Sequence, residues 1–459
     1  MFEFARELRR IFGAEGFKPF QDGLTGGQSA LLELLDLPML ISEGKSADIA
    51  VGRVGVKDRA QRRLEAAIVW REVARRSGDA MVLRRAAATA EAAATAFDRD
   101  RRPDGWARAR CEQAYCAMLG AELFGDEGLN AAAEAAFREA RAAARGGLSA
   151  ALADIGTATM EARLRLADGD APTARAAAAA FTAPIAAIDS LMRRLPSARP
   201  LAAEARTIRA DLLAGWGARL KDAGLLEAAL AEATKAAAGV DQAYEPLTWA
   251  RAETLRAQTM ALLGDFTGDV DQLAQGVTVL VDVLETLNRD HSPLDWARAQ
   301  VALGQGLQAL GDASAEERAD EQAVACFERA DLVLKAAPAT PLRGLAVSAR
   351  AACLVRSAEL TGDVGVLDAA EAAMKIELTR NPPGRDPVAW ALAQIQLARL
   401  YEARIDLTGK DGGQRARAVM ALDAALDVFS DHGLRSLSLV AVDAMDRLKA
   451  GPRRAPLQP

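Results

Sequence analysis

Prolines that can open a helix recur at a nearly constant interval along most of this 459-residue chain. Pro246, Pro293, Pro341 and Pro387 follow one another by 47, 48 and 46 residues. Proline is tolerated at the first position of a helix because its missing N–H would have no intrahelical partner there. A unit of this length holds two helices and a turn, so the spacing predicts a tandem array of helical hairpins. Pro103 and Pro200 stand in the same register.

The repeat that begins at Ser292 shows how one hairpin is delimited. Ser292 is suited to cap a helix, and Pro293 is suited to its first position. We expect Gly311 and the small polar residues after it to end this helix, and a second amphipathic helix to run back from about Glu321. Glycine is expected to end the first helix of other repeats as well, at Gly125, Gly268, Gly362 and Gly409.

Composition limits the classes of protein to which the chain can belong. Hydrophobic residues make up 51% and aromatic residues only 5%, which favours a nearly all-α fold with close helix packing. A net charge of −6 argues against a broad nucleic-acid surface, which needs an excess of Lys and Arg. The sequence shows neither a secretory signal nor an apolar run of the roughly 18 residues that span a membrane, so we expect a cytoplasmic protein. The four cysteines are never spaced C-x-x-C and are expected to be buried small hydrophobes.

The chain divides into three segments by its agreement with the repeat. Residues 1–57 do not follow the period, residues 58–450 do, and residues 451–459 form a basic, proline-containing tail that we expect to be flexible. A lone helix, predicted from Leu434 to Leu448, has no return partner. Such a helix would cover the apolar face that the last hairpin of a repeat stack leaves in water.

The residues of the repeat resemble the tetratricopeptide repeat family. Trp296 with Leu303-Gly304 in one helix, and Ala323, Phe327 and Ala330 in the next, are similar to that family's pattern, in a long-helix variant with a period near 47. The resemblance covers about residues 58–450. It implies an all-α, open, right-handed superhelical solenoid of about eight antiparallel hairpins plus a C-terminal capping helix. It also implies a concave groove that is lined by the first helix of each hairpin.

Arginine recurs two residues after the tryptophan, inside a repeated Trp-Ala-Arg-Ala, as Arg108, Arg251 and Arg298. In the resemblance these positions fall on the groove side of successive first helices. Guanidinium groups there are suited to bind carboxylates of an acidic segment in a protein or peptide partner. The alternative is structural, because each arginine could instead pair with Asp or Glu of the next repeat. Weaker partner-binding candidates on the same kind of helix are Gln305 and Gln394.

The non-repeat N-terminal segment carries a short amphipathic pattern. Its apolar residues Phe2, Phe4, Leu8 and Phe12 could pack on the chain's own core, contact a partner, or lie on an acidic membrane surface. The last option defines an alternative function, a peripheral membrane assembly factor. Further on, Gly44-Lys45-Ser46 matches the end of a phosphate-binding loop but lacks the earlier glycine, so we expect a solvated turn there.

Signals of catalysis are scarce. The two histidines, His291 and His432, are expected to be exposed loop residues, and no metal or cofactor is predicted. A closed α/α toroid acting on carbohydrate is the enzymatic alternative, but three tyrosines leave little aromatic surface for a sugar site. The sequence therefore favours a non-catalytic scaffold or adaptor that holds a protein partner.

Overall fold

A computed structural model describes residues 29–53, 58–126, 128–166, 168–195, 197–314, 317–336, 340–384 and 387–450. These residues form helices and turns and contain no strand, which confirms the prediction of an all-α helical repeat protein. They divide into two compact units, one that extends to Ala299 and one that begins at Gln300. In the described ranges no helix combines the length and the apolar character that crossing a bilayer requires.

The first unit begins with a 3-10 helix, Ser29–Leu34, and a helix, α1 (Leu37–Gly52), which are followed by five hairpins. The hairpin helices, in chain order, are α2 (Arg59–Ser77) and α3 (Ala80–Ala96), α4 (Pro103–Phe124) and α5 (Gly128–Ala143), α6 (Gly147–Arg165) with α7 (Ala171–Ala179) and α8 (Thr182–Leu191), α9 (Ala198–Leu220) and α10 (Ala223–Ala238), and α11 (Pro246–Thr267) and α12 (Val270–Thr286).

The remaining helices form three more hairpins and a terminal helix. They are α13 (Pro293–Ser314) and α14 (Glu317–Leu334), α15 (Thr340–Thr361) and α16 (Gly365–Arg380), α17 (Pro387–Thr408) and α18 (Gln414–Asp431), and α19 (Arg435–Ala450). The boundary between the two units falls within α13. Helix α19 packs on α18 with Ala441, Ala444 and Leu448 buried, as expected of a capping helix.

The prolines and glycines that the sequence analysis assigned to helix ends lie at most of the observed ends. Proline opens α4, α11, α13 and α17. At the other end of first helices, glycine adopts the left-handed conformation that lets the chain turn, with φ of 63° at Gly125, 74° at Gly268, 74° at Gly362 and 65° at Gly409. Helix α13 ends at Ser314, within the small polar run after Gly311 that the sequence predicts to end it, although Gly311 itself stays helical, and α14 begins at Glu317, four residues before the predicted Glu321. Gly311 lies close to Asp320 of α14, so its missing side chain permits helix packing instead of a turn.

The expectation of a solvated turn at Gly44 is also wrong, because Gly44 lies buried within α1. A side chain there would come within 2.9 Å of the indole ring of Trp70, which is 2% exposed. The indole N–H of Trp70 donates to Asp48, one turn further along α1, at 3.0 Å. The glycine therefore brings α1 against α2, and the resemblance to a phosphate-binding loop has no structural basis.

Within the first unit, the first helices of the five hairpins form one layer, which we call the inner layer. Each contacts its own second helix, and α2, α4, α6, α9 and α11 also contact one another in succession. Small residues also allow close packing between successive hairpins, as where Gly156 of α6 faces the buried ring of Phe137 from α5, the second helix of the preceding hairpin. The inner layer is the surface on which side chains from distant repeats can meet.

Candidate functional site

A cavity with a volume of about 110 Å³ lies on the inner layer of the first unit. Every residue of its wall comes from a first helix, namely α2, α4, α6, α9, α11 or the start of α13. A group the size of a side chain fits such a space, since an engineered cavity of roughly 150 Å³ accommodates benzene. The inner layer of the first unit therefore contains a small, defined pocket.

Six arginines contribute to the wall of this cavity, against two glutamates, Glu122 and Glu204. Carboxylates just outside the wall neutralise two of these arginines, since Arg71 pairs with Glu112 and Arg251 pairs with Glu72 and Asp295. The arginines are Arg71, Arg75, Arg108, Arg163, Arg251 and Arg298. All three arginines of the Trp-Ala-Arg-Ala motif are thus brought together in one site.

Ion pairs cross the inner layer between hairpins that are far apart in the chain. Arg298 of α13 donates to Glu122 of α4 at 2.8 Å, and Arg251 of α11 donates to Glu72 of α2 at 3.2 Å. Arg75 of α2 pairs in the same way with Glu204 of α9. The inner faces of the unit therefore meet across its interior, and the cavity is what remains open between them.

Arg251 is the most strongly held of these arginines. Its guanidinium forms bonds of 3.0 and 2.7 Å with the carboxylate of Asp295, and its side chain is only 9% exposed. Burial by itself would raise the pKa of Asp295, but the charge of Arg251 outweighs it and holds that pKa below its usual value. Ser292 donates a further bond of 2.7 Å to Asp295. Arg251 thus follows the structural alternative, in which the motif arginine pairs with an acidic residue of the next repeat.

Arg108 differs from the other five arginines of the wall. Among the described residues, its guanidinium has neither a carboxylate within ion-pair distance nor a hydrogen bond. By contrast, the Arg71 guanidinium is paired with the fully buried carboxylate of Glu112, and the Arg163 guanidinium lies 3.7 Å from Glu122. A half-buried arginine that faces a cavity and has no paired carboxylate is suited to bind an anion from outside the chain.

Most of the rest of the wall is apolar. Tyr115 of α4 lies at its edge, with its hydroxyl donating to the carbonyl of Leu152 at 3.2 Å and its ring packed edge-on against Phe137. Burial raises the pKa of Tyr115 well above its ordinary value, so the hydroxyl stays protonated and keeps this bond. The apolar side chains of the wall include Met118, Leu119, Leu123, Leu152, Ile155 and Ile208. The cavity thus combines an apolar surface with a cationic one.

The other predicted site residues lie elsewhere. Gln305 of α13 and Gln394 of α17 belong to the second unit, are half-buried, and do not contribute to this cavity. The residues of the proposed membrane contact, namely Phe2, Phe4, Leu8 and Phe12, lie outside the described residues, so the membrane alternative stays a prediction.

Several residues of the site were missed from the sequence. Arg71 and Arg75 were not singled out, although they lie one helical turn apart on a first helix and therefore on one face. Helix α2 lacks the proline at its start and the tryptophan three residues later, so the repeat motif did not point to these two arginines. No sequence pattern marked Glu204 as a site residue, because acidic residues are common on any helical surface.

The remaining reactive side chains do not form a second site. All four cysteines are buried and free, as predicted, and burial raises the pKa of Cys111 to about 12, which keeps the thiol protonated. His432 is exposed, but His291 is half-buried, contrary to expectation, because it packs beside the backbone of Glu33 and Leu35. In the part of the chain that the structure describes, no group of three or more His, Cys, Asp or Glu side chains is arranged to hold a metal ion.

No protein-family model matches the chain, and no curated protein matches it. Among solved structures, the chain is similar to a Rap protein complexed with competence and sporulation factor, at 13% identity over 84% of this chain and 98% of that chain, with a TM-score of 0.48. It is also similar to a circular tandem repeat protein with a novel repeat topology, at 17% identity over 85% of this chain and 98% of that chain, with a TM-score of 0.28. At these identities and TM-scores, neither similarity carries a conclusion about function.

Proposed function

We propose that the chain is a non-catalytic scaffold that holds an acidic segment of a protein partner on the inner layer of its first unit. The observation that carries the proposal is the Arg108 guanidinium, which faces the cavity with no carboxylate partner among the described residues. A partner's aspartate, glutamate or terminal carboxylate would supply the missing charge. Charge-assisted bonds of this kind contribute roughly 1.5–3 kcal/mol.

The apolar part of the wall defines the rest of the recognised segment. Leu201 and Ile208, which are half-buried, offer surface for one aliphatic or aromatic side chain beside the carboxylate. The volume of about 110 Å³ suits one or two side chains of an extended or helical segment, and it is too small for a folded domain to enter. The expected ligand is therefore a short stretch in which an acidic residue neighbours an apolar one.

The test begins with capture of partners by the immobilised full chain from an extract of its host, followed by identification of the bound segment. The dissociation constant of a labelled peptide of that segment is then measured for the wild type and for Arg108→Ala. We expect the substitution to weaken binding at least tenfold without lowering the melting temperature, because it breaks no ion pair among the described residues.

Arg110→Ala is the matched control. Arg110 lies on the same helix but donates to Glu139 of α5 at 2.6 Å and is not part of the cavity wall. We expect Arg110→Ala to leave the dissociation constant unchanged. Equal affinities of the wild type and Arg108→Ala would show that the cavity does not hold the partner's carboxylate.

A further inference from the structure

A short segment before α1, residues 29–36, lies across the inner layer of the first unit, and we call it the strap. Arg76 of α2 holds its backbone, donating to the carbonyl oxygens of Leu32 at 3.0 Å and Leu35 at 2.7 Å. The Arg76 side chain is fully buried and also donates to Glu72 at 2.8 Å. One side of the strap is therefore fixed to the first hairpin.

The other side of the strap reaches the fifth hairpin through Glu33. Its carboxylate accepts hydrogen bonds of 2.8 Å from the backbone N–H groups of both Leu247 and Thr248, and another from the Thr248 hydroxyl. These groups belong to the first turn of α11, where unpaired N–H groups and the helix dipole favour an anion. Arg251, one turn further along α11, adds a favourable charge interaction.

The place that Glu33 occupies borders the cavity described above. Thr248 and Arg251 are both part of the cavity wall, and both interact with the Glu33 carboxylate. The chain thus already seats one of its own acidic side chains, flanked by leucines on both sides, at the α11 end of the cavity. This is the chemistry expected of a partner segment, an acidic residue beside apolar ones.

We propose that Glu33 is an internal competitor, whose carboxylate must leave the first turn of α11 before an acidic residue of a partner can bind there. This inference rests on the proposed function and adds a regulatory element to the same site. The α11 end then forms a second carboxylate subsite in the same cavity as Arg108, and it opens only when the strap releases Glu33.

The competition is tested with the strap itself as a probe. A fluorescein-labelled peptide of residues 29–36, Ser-Ala-Leu-Leu-Glu-Leu-Leu-Asp, is titrated against the full-length wild type and against full-length Glu33→Ala. We expect the peptide to bind Glu33→Ala at least tenfold more tightly, because the variant has an empty subsite. A peptide in which glutamine replaces that glutamate should bind the variant weakly.

Asp36→Asn serves as the control chain. Asp36 lies on the same segment, but its side chain accepts from the backbone N–H of Met39 of α1 at 2.8 Å and forms no hydrogen bond or ion pair with the described residues of α11. The Asp36→Asn chain should bind the peptide as weakly as the wild type does. Equal binding by the wild type and Glu33→Ala, or no binding by Glu33→Ala, overturns the inference.

A second measurement applies if Glu33→Ala does not fold. Hydrogen exchange of the wild type, followed by mass spectrometry, should show faster exchange in residues 29–36 when the captured partner segment is added. Unchanged exchange in a complex that forms and still depends on Arg108 would refute the competition while leaving the proposed function intact. Loss of the Arg108 dependence would instead refute the proposed function.

Discussion

Arg251 allows the energetic value of the buried ion-pair network to be measured. In Arg251→Met the carboxylate of Asp295, which is 4% exposed, loses its cationic partner and keeps only the hydroxyl of Ser292. Glu72 is less affected, because Arg76 still donates to it at 2.8 Å. The substitution therefore leaves the buried carboxylate of Asp295 without its paired cation, with only the charges of Arg75 and Arg298 nearby, and it also removes a favourable charge from Glu33.

Two estimates of the cost agree. Coulomb attraction between unit charges about 4 Å apart is roughly 4 kcal/mol at an effective dielectric constant of about 20. Removal of one partner from a buried pair costs roughly 3–5 kcal/mol in measured cases. We therefore expect the free energy of local unfolding around α11 to fall by about 3–5 kcal/mol.

Hydrogen exchange of α11 and of the first turn of α13 measures this change region by region, which suits a repeat protein that need not unfold in one step. The expected loss corresponds to exchange that is faster by about a hundredfold to several thousandfold. Addition of Asp295→Leu should restore most of the loss, because replacing both partners by apolar residues removes the unpaired charge.

Arg298→Met is the matched control, since it changes the same position of the Trp-Ala-Arg-Ala motif. Arg298 and its partner Glu122 are 36% and 41% exposed, so their pair is expected to contribute only about 0–1 kcal/mol. Similar losses of stability in the two variants, or a loss of less than about 1 kcal/mol in Arg251→Met, would refute the strength assigned to the Arg251–Asp295 pair.

Two further predictions concern packing and pH. Gly156→Ala should destabilise the first unit by about 1–3 kcal/mol in urea unfolding, because the added methyl would overlap the ring of Phe137. Gly215→Ala, whose methyl would meet its nearest atom at an ordinary 3.4 Å, should be neutral or stabilising by up to about 1 kcal/mol. Arginines outweigh burial and lower the pKa values of Glu72 and Asp295 from 4.5 and 3.8. Their contribution to stability is therefore present above these values and lost as the pH falls below them. The melting temperature should drop steeply below about pH 4.5, and a flat profile from pH 7 to 3 would contradict this assignment.

Some of the site could be predicted from the sequence and some could not. The motif arginines were found because a repeat places equivalent residues at equivalent positions of successive helices. Their different roles could not be found, because Arg251 meets Asp295 of the next repeat, Arg298 meets Glu122 from 176 residues away, and Arg108 meets no carboxylate in the described ranges. These partners depend on how far the stack of hairpins curves.

The contact between the strap and α11 could not be predicted from the sequence, for the same reason. Nothing near Glu33 in the sequence indicates that its carboxylate binds the first turn of a helix 214 residues later. The burial of Gly44 against Trp70 is also tertiary, because local signals do not distinguish a glycine that forms a turn from one that admits a neighbouring ring.

The sequence by itself determined the all-α class, the hairpin as the repeated unit and most of the helix ends. It did so because these features depend on the backbone preferences of proline and glycine and on the periodicity of apolar residues, which act over a few residues. Only the tertiary structure decided which arginines are neutralised, where the cavity lies and what the strap covers. Each of these depends on the distance between side chains from different hairpins, and small rotations between successive repeats add up to set that distance.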